Sequence, residues 1–193
     1  MILICYDGSA GARAAIADAG RVLAGHPAIV LTVWEPLAEV FARTPAGAGL
    51  IAGLGDPGDV DAETRTAAER TAAEGAELAC EAGFDASARA RAQTGSVSGT
   101  IIAQADVANA TAIVMGSRGR TGLQALLGSV SQAVVQHADR AVMVVPPAPV
   151  AIERRERLRR RDQPRVSRPG PAPGQRPDPP PLLLRWRRRP LAR

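Results

Sequence analysis

The residues with the clearest chemical potential lie in one segment rich in glycine and serine, residues 116–132. Gly116 and Gly119 follow an apolar run with two residues between them, and Gly128 is followed at once by Ser129. Glycine lets backbone amides approach a ligand closely and permits positive φ angles. A helix that begins near Ser129 would present unpaired amides and the positive end of its dipole, which suit a phosphate group. The segment therefore predicts a phosphate cradle between Gly116 and the last helix.

Polar side chains in this segment add two expectations. Arg118 and Arg120 would place formal positive charge beside the cradle, although the alternative of solvated loop charges stays open. Ser129 and Gln132 match the capping-box pattern, so we expect Ser129 to be the N-cap of the helix. An N-cap needs no ligand, so capping and phosphate binding are both open for Ser129.

A second candidate is Asp7, which directly follows the apolar run Ile2–Tyr6. Its carboxylate could face a ligand, or it could cap the following helix or close a turn. Cys5 lies within the apolar run, where inert packing is favoured over redox chemistry. Neither His26 nor His137 has a Ser or Cys partner in a suggestive position, which disfavours a hydrolytic triad.

Two common nucleotide-binding motifs are missing from the sequence. The pattern Gly-x4-Gly-Lys-[Ser/Thr] does not occur, which excludes a P-loop NTPase. The pattern Gly-x-Gly-x-x-Gly does not follow the first strand, which argues against a dinucleotide fold of the common type.

The elements that must position these residues alternate between apolar β-branched runs and helical patterns. The strands are predicted at 2–6, 28–34, 86–93, 111–115 and 141–145, and the helices at 10–24, 61–82, 96–109 and 129–138. A long Gly/Ala/Pro-rich loop is expected at 43–60. The alternation predicts an α/β fold, a doubly wound five-stranded parallel sheet with helices on both faces. Ligands bind such sheets beyond the carboxyl ends of the strands, where Asp7 and Gly116 lie.

Charge divides the chain into two predicted parts, a folded domain at 1–150 and a disordered tail rich in Arg and Pro at 151–193. The first part carries 10 Arg and 15 Asp and Glu, a net charge of −5, and the second carries 14 Arg and 4 Asp and Glu, a net charge of +10. The sequence pI near 10.7 therefore describes the tail. The run Arg185–Arg189 could contact nucleic acid or an anionic membrane, and a solvated extension is the simpler interpretation.

Several compartments and classes are disfavoured by the sequence. The sequence contains no run of about 18 apolar residues, so it predicts no membrane-spanning helix. The N-terminus lacks the charged region and cleavage site of a signal peptide. The two cysteines, Cys5 and Cys80, form neither a disulfide framework nor a metal-binding spacing. We therefore expect a cytoplasmic protein.

Four stretches, in order, resemble the universal stress protein family. They are Ile2–Ser9, Leu31–Glu35, the segment Val114–Gly119 with Gly128–Ser131, and Ala138–Pro146. The resemblance covers residues 1–147 and implies the strand order 3-2-1-4-5, with a homodimer formed through the fifth strand. In the nucleotide-binding branch of the family, it implies ATP, with or without Mg²⁺, across strands 1 and 4.

The resemblance also implies the roles of individual residues at the base and ribose. Asp7 would face the ribose or the adenine. The backbone of Val33 would form hydrogen bonds with the adenine edge. Gly116 and Gly119 would lie under the ribose and the phosphates.

At the phosphates, the resemblance implies binding by the amides of Gly128, Ser129 and Val130 and by the Ser129 hydroxyl. The family pattern is Gly-x2-Gly-x9-Gly-[Ser/Thr], and this chain has eight residues, 120–127, where the pattern has nine. The expected function is a stress-response regulator that binds ATP or another adenine nucleotide. No general base is evident, so we expect no enzyme activity beyond slow ATP hydrolysis. The alternative is a dimeric interaction module that binds no nucleotide.

Overall fold

A computed structural model describes residues 1–37, 40, 57–117 and 127–146, together with 151, 152, 155, 156, 158 and 159. The chain divides into two compact units, Met1–Glu156 and Arg157–Arg193. All of the strands and helices named below belong to the first unit.

Nine strands and helices alternate along the described residues of the first unit. The strands are β1 (Ile2–Cys5), β2 (Pro27–Trp34), β3 (Asp85–Ala92), β4 (Ala112–Gly116) and β5 (Ala141–Val145), and the helices are α1 (Ala10–Leu23), α2 (Pro57–Glu81), α3 (Val97–Val107) and α4 (Ser129–His137). Each predicted element is present. Helix α2 begins four residues before the predicted Asp61, because Pro57 suits the first position of a helix, where its missing N–H is not needed. Residues 43–56 of the predicted loop lie outside the described part of the chain.

The sheet has the order β3-β2-β1-β4-β5, and all four strand pairs are parallel. This confirms the predicted fold class and strand order. Strand β1 lies at the centre, where Ile4 pairs with Val30 of β2 on one side and Val114 of β4 on the other. The direction of winding reverses between β1 and β4, so a crevice is expected at the carboxyl ends of these two strands.

Alternation of side chains along the strands gives the sheet two apolar faces. One face, which includes Ile4 and Val30, packs against buried alanines of α1 and α2. The other face, which includes Leu3 and Leu31, packs against α3 and α4. Among the helices that the described residues form, none is long and apolar enough to cross a membrane.

Close packing at the end of β4 explains why residue 116 is a glycine. A Cβ atom on Gly116 would lie 2.9 Å from the carbonyl carbon of Gly11 and 3.2 Å from the amide nitrogen of Ala12, in the first turn of α1. Gly116 is not among the glycines with positive φ. Of the two properties of glycine considered above, Gly116 therefore does not use the positive φ, and the backbone of α1 against it requires a residue without a side chain.

We expect Gly116→Ala to destabilise the fold. The added methyl group must displace backbone rather than a flexible side chain, and overpacking of this kind costs about 1–3 kcal/mol. Urea unfolding followed by circular dichroism measures the change in the free energy of unfolding. A change smaller than about 0.5 kcal/mol, the usual range for a surface substitution, would contradict this description of the contact.

Candidate functional site

A cavity of about 290 Å³ lies at the carboxyl ends of β1 and β4, beside the start of α4. Six of the predicted site residues line it: Asp7, Val33, Gly116, Gly128, Ser129 and Val130. The structure thus brings together residues that are separated by more than a hundred positions in the sequence. The other predicted residues, Arg118 and Gly119, lie outside the described part of the chain, as does Arg120.

Most of the remaining cavity wall is apolar. Leu31 and Met115 contribute from the sheet, and Val97 and Ile101 contribute from α3. Sequence reasoning missed these residues because their apolar character marks them equally well as core. The four-residue spacing of Val97 and Ile101 places both on one face of α3, but only the strand order shows that this face covers the crevice.

The turn after β1 fixes Asp7. The Oδ1 atom of Asp7 accepts a hydrogen bond from the N–H of Ser9 at 3.0 Å, and Gly8 between them has a φ of +76°. Ser9 is the N-cap of α1, since its hydroxyl accepts from the N–H of Ala12 at 3.1 Å. Of the two structural roles considered for Asp7, it closes the turn and leaves the capping of α1 to Ser9.

The start of α4 differs from the predicted capping box. Gly128 is the N-cap, with φ −70° and ψ 159°, and Ser129 is the first helical residue. The carbonyl of Gly128 accepts the first hydrogen bond of the helix, from the N–H of Gln132 at 2.9 Å. The prediction that Ser129 is the N-cap is therefore wrong. The amides of Ser129, Val130 and Ser131 precede this first bond, in the part of the helix that lines the cavity.

Ser117 holds the start of α4 in place. Its carbonyl accepts from the N–H of Gly128 at 2.7 Å and from the hydroxyl of Ser131 at 3.0 Å. Its own N–H donates to the carbonyl of Val145, at the end of β5, at 2.8 Å. Ser117 and Ser131 are both buried. The first residue after β4, the end of β5 and the first turn of α4 are therefore joined by hydrogen bonds.

This arrangement bears on the short spacer between Gly119 and Gly128. The Ser117–Gly128 hydrogen bond joins the two ends of the segment 118–127 directly. The first turn of α4 is thus joined to the residue after β4 by hydrogen bonds that do not involve the spacer residues themselves.

Burial also affects the thiol of Cys5, which lines the cavity. Desolvation, with a smaller contribution from the nearby charge of Asp7, raises the pKa of Cys5 to about 12. The thiol therefore keeps its proton at neutral pH and contributes apolar surface to the wall.

Comparison with known proteins identifies the fold. The sequence profile of the universal stress protein family matches residues 1–146. The chain belongs to this family. A search of curated proteins found no match.

Solved universal stress proteins share the architecture. A crystal structure of a universal stress protein in complex with cAMP is 25% identical in sequence, with a TM-score of 0.50, and the match covers 76% of this chain and 97% of that chain. A family protein from Burkholderia pseudomallei is 20% identical, with a TM-score of 0.55 over 76% of this chain and 95% of that one. UspA from Lactobacillus plantarum is 23% identical, with a TM-score of 0.52, and the match covers 75% of this chain and 95% of that chain.

The two serines at the start of α4 give a matched pair of variants. We expect Ser131→Ala to lower the free energy of unfolding by about 1 kcal/mol, because it removes a buried hydroxyl shared between two carbonyls. Ser129→Ala removes no capping bond and should change it by less than about 0.5 kcal/mol. Urea unfolding of both variants measures the difference. The reverse order, with Ser129 the costlier substitution, would show that the capping box forms after all.

Proposed function

We propose that this protein binds an adenine nucleotide, ATP foremost, in the cavity between β1 and β4, as a cytoplasmic regulatory protein of the stress response. One observation carries the proposal. An apolar wall, a carboxylate and the amides at the start of a helix converge on a single cavity. The solved universal stress protein in complex with cAMP supports an adenine nucleotide as the ligand class.

The apolar end of the cavity suits a nucleobase. Leu31, Val97 and Ile101 offer surfaces for the faces of a flat ring, and the backbone of Val33 can form hydrogen bonds with its edge. The volume of about 290 Å³ lies near the lower end of the range for small-molecule sites, about 300 Å³. The base and sugar would fill it, with the phosphates directed to its margin.

The charges favour one orientation of the ligand. The amides of Ser129–Ser131, at the positive end of the α4 dipole, attract phosphate. The carboxylate of Asp7 repels phosphate and accepts hydrogen bonds from hydroxyl groups. We therefore place the phosphates at α4 and the ribose hydroxyls at Asp7.

Binding is favoured over turnover. Among the described residues that line the cavity, Asp7 carries the only carboxylate, and one of its oxygens already closes the turn to Ser9. We propose a binding protein with at most slow hydrolysis.

A homodimer through β5 belongs to the same proposal. Strand β5 is at an edge of the sheet and pairs with β4 alone among the described strands. Val142, Met143 and Val144 are each half-buried in a single chain. An apolar edge of this kind favours pairing with a second copy. The alternative function is an interaction module that binds no nucleotide. In that case this edge would be the surface that forms the interaction.

Calorimetric titration of the full-length protein with ATP, with and without Mg²⁺, tests the binding proposal. We expect Asp7→Asn to weaken binding about ten-fold or more, because it removes a charged hydrogen-bond acceptor worth about 1.5–3 kcal/mol. Asp18→Asn is the matched control, since Asp18 forms an exposed ion pair with Arg21 on α1, and it should leave the affinity unchanged.

The Arg-rich residues 151–193 require a second control, because they can attract phosphate without a built site. Tripolyphosphate, which carries the charge without the base, should displace ATP poorly. Full displacement by tripolyphosphate, or equal affinity in the Asp7→Asn variant, would contradict the proposed site. Absence of both heat and co-purified nucleotide would contradict binding itself.

A further inference from the structure

Three side chains, one directly after β1 and one from each of α1 and α2, meet next to the turn that carries Asp7. The hydroxyl of Tyr6 donates to Oε1 of Glu74 on α2 at 2.9 Å. The guanidinium of Arg13, on α1, pairs with the same carboxylate. The guanidinium carbon of Arg13 also lies 5.9 Å from the centre of the Tyr6 ring, within the range of a cation–π contact. We refer to Tyr6, Arg13 and Glu74 as the clamp.

The clamp holds the turn on both sides of Asp7. On the preceding side, Tyr6 is buried, and its carbonyl accepts a hydrogen bond from the hydroxyl of Thr32 at 2.8 Å. On the following side, Arg13 donates to the carbonyl of Gly8 at 3.3 Å. Asp7 therefore lies between Tyr6, which belongs to the clamp, and Gly8, whose carbonyl is bound by the clamp.

Helix α2 is shaped to receive this turn. A Cβ atom on Gly75 would lie 2.6 Å from Cδ1 of the Tyr6 ring, so the ring occupies space that a larger residue would fill. A Cβ atom on Gly8 would lie 3.7 Å from a methyl carbon of Thr71, one turn earlier on α2. Tyr6 itself lines the cavity. The ring itself packs against α2 at Gly75.

Electrostatics keeps the clamp in one state at neutral pH. Burial, followed by the hydrogen bond to Glu74, raises the pKa of Tyr6 to about 12. Hydrogen bonds from Tyr6 and Arg13 lower the pKa of Glu74 below its ordinary value. Tyr6 therefore retains the proton it donates, and Glu74 retains the charge that pairs with Arg13.

Stability alone does not account for this arrangement. The side chains of Arg13 and Glu74 are 48% and 43% exposed, and ion pairs with that much solvent contribute little to folding. Arg65 and Glu69, both on α2, form another exposed ion pair. The Arg13–Glu74 pair differs from it because it contacts the turn that bears Asp7.

We propose that Tyr6 and Glu74 are positioning residues for nucleotide binding, which hold Asp7 where it accepts the ribose hydroxyls. The inference rests on the proposed function. Glu74 contacts no ligand in this account and acts through Tyr6 and the turn.

The test is a double-mutant cycle on ATP affinity, with each protein confirmed as folded by urea unfolding. Tyr6→Phe removes only the hydroxyl and should weaken binding about five-fold, the loss expected for one hydrogen bond. Glu74→Gln should weaken binding in the same direction, because Arg13 loses its charged partner. Glu69→Gln, which breaks the exposed pair on the same helix, is the control and should leave affinity unchanged.

The cycle separates positioning from a general structural role. If the clamp acts through Asp7, Tyr6→Phe should change affinity less than about two-fold in the Asp7→Asn background. An equal loss in both backgrounds would overturn the inference, as would a Tyr6→Phe protein that is less stable but binds ATP like the wild type. Failure of the wild type to bind any nucleotide would instead overturn the proposed function, and the inference with it.

Discussion

The main chain of Ser117 is the constraint on which the site depends. Its N–H and carbonyl join the end of β5 to the start of α4 through bonds of 2.8 and 2.7 Å, and the Ser131 hydroxyl adds a third bond. Because these bonds lie at the carboxyl end of β4, the helix amides are held over the point where the winding of the sheet reverses. Close packing of Gly116 against the first turn of α1 fixes the same strand end from the other face.

The charge distribution explains why backbone amides are needed. Residues 1–150 have a net charge of −5, so no general positive field draws an anion to this domain. Much of the negative charge is on α2, where residues 57–81 hold seven Asp and Glu and two Arg. Helix α2 packs on the face of the sheet opposite to α3 and α4, which keeps most of this charge away from the α4 amides. Glu74, which approaches the turn at Asp7, is paired with Arg13.

The nine elements described above could be predicted because they follow from local signals. Strand runs and helical spacing indicated each of them, and their alternation implied a parallel sheet, whereas the strand order came from the resemblance to the universal stress protein family. The N-cap of α4 could not be predicted, since the pattern Ser129-x-x-Gln132 does not reveal that Gly128 bonds to Ser117 and takes the N-cap position.

The clamp and the apolar cavity wall could not be predicted from the sequence, for a different reason. Tyr6 and Glu74 are 68 residues apart, and nothing in either local sequence indicates a partner. Gly75, which leaves room for the Tyr6 ring, lies inside a helix. From sequence alone, a glycine at such a position indicates only a lower helix propensity. Such contacts depend on which helix covers which strand and on how its side chains pack there, and these became visible only in the structure.

The most direct measurement is the set of backbone amide shifts in ¹H–¹⁵N spectra of the full-length protein during titration with ATP. We expect the largest changes at Asp7, Val33 and the first turn of α4, Ser129–Ser131. Saturating changes confined to residues 151–193, or no changes at the α4 amides, would contradict a nucleotide site between β1 and β4.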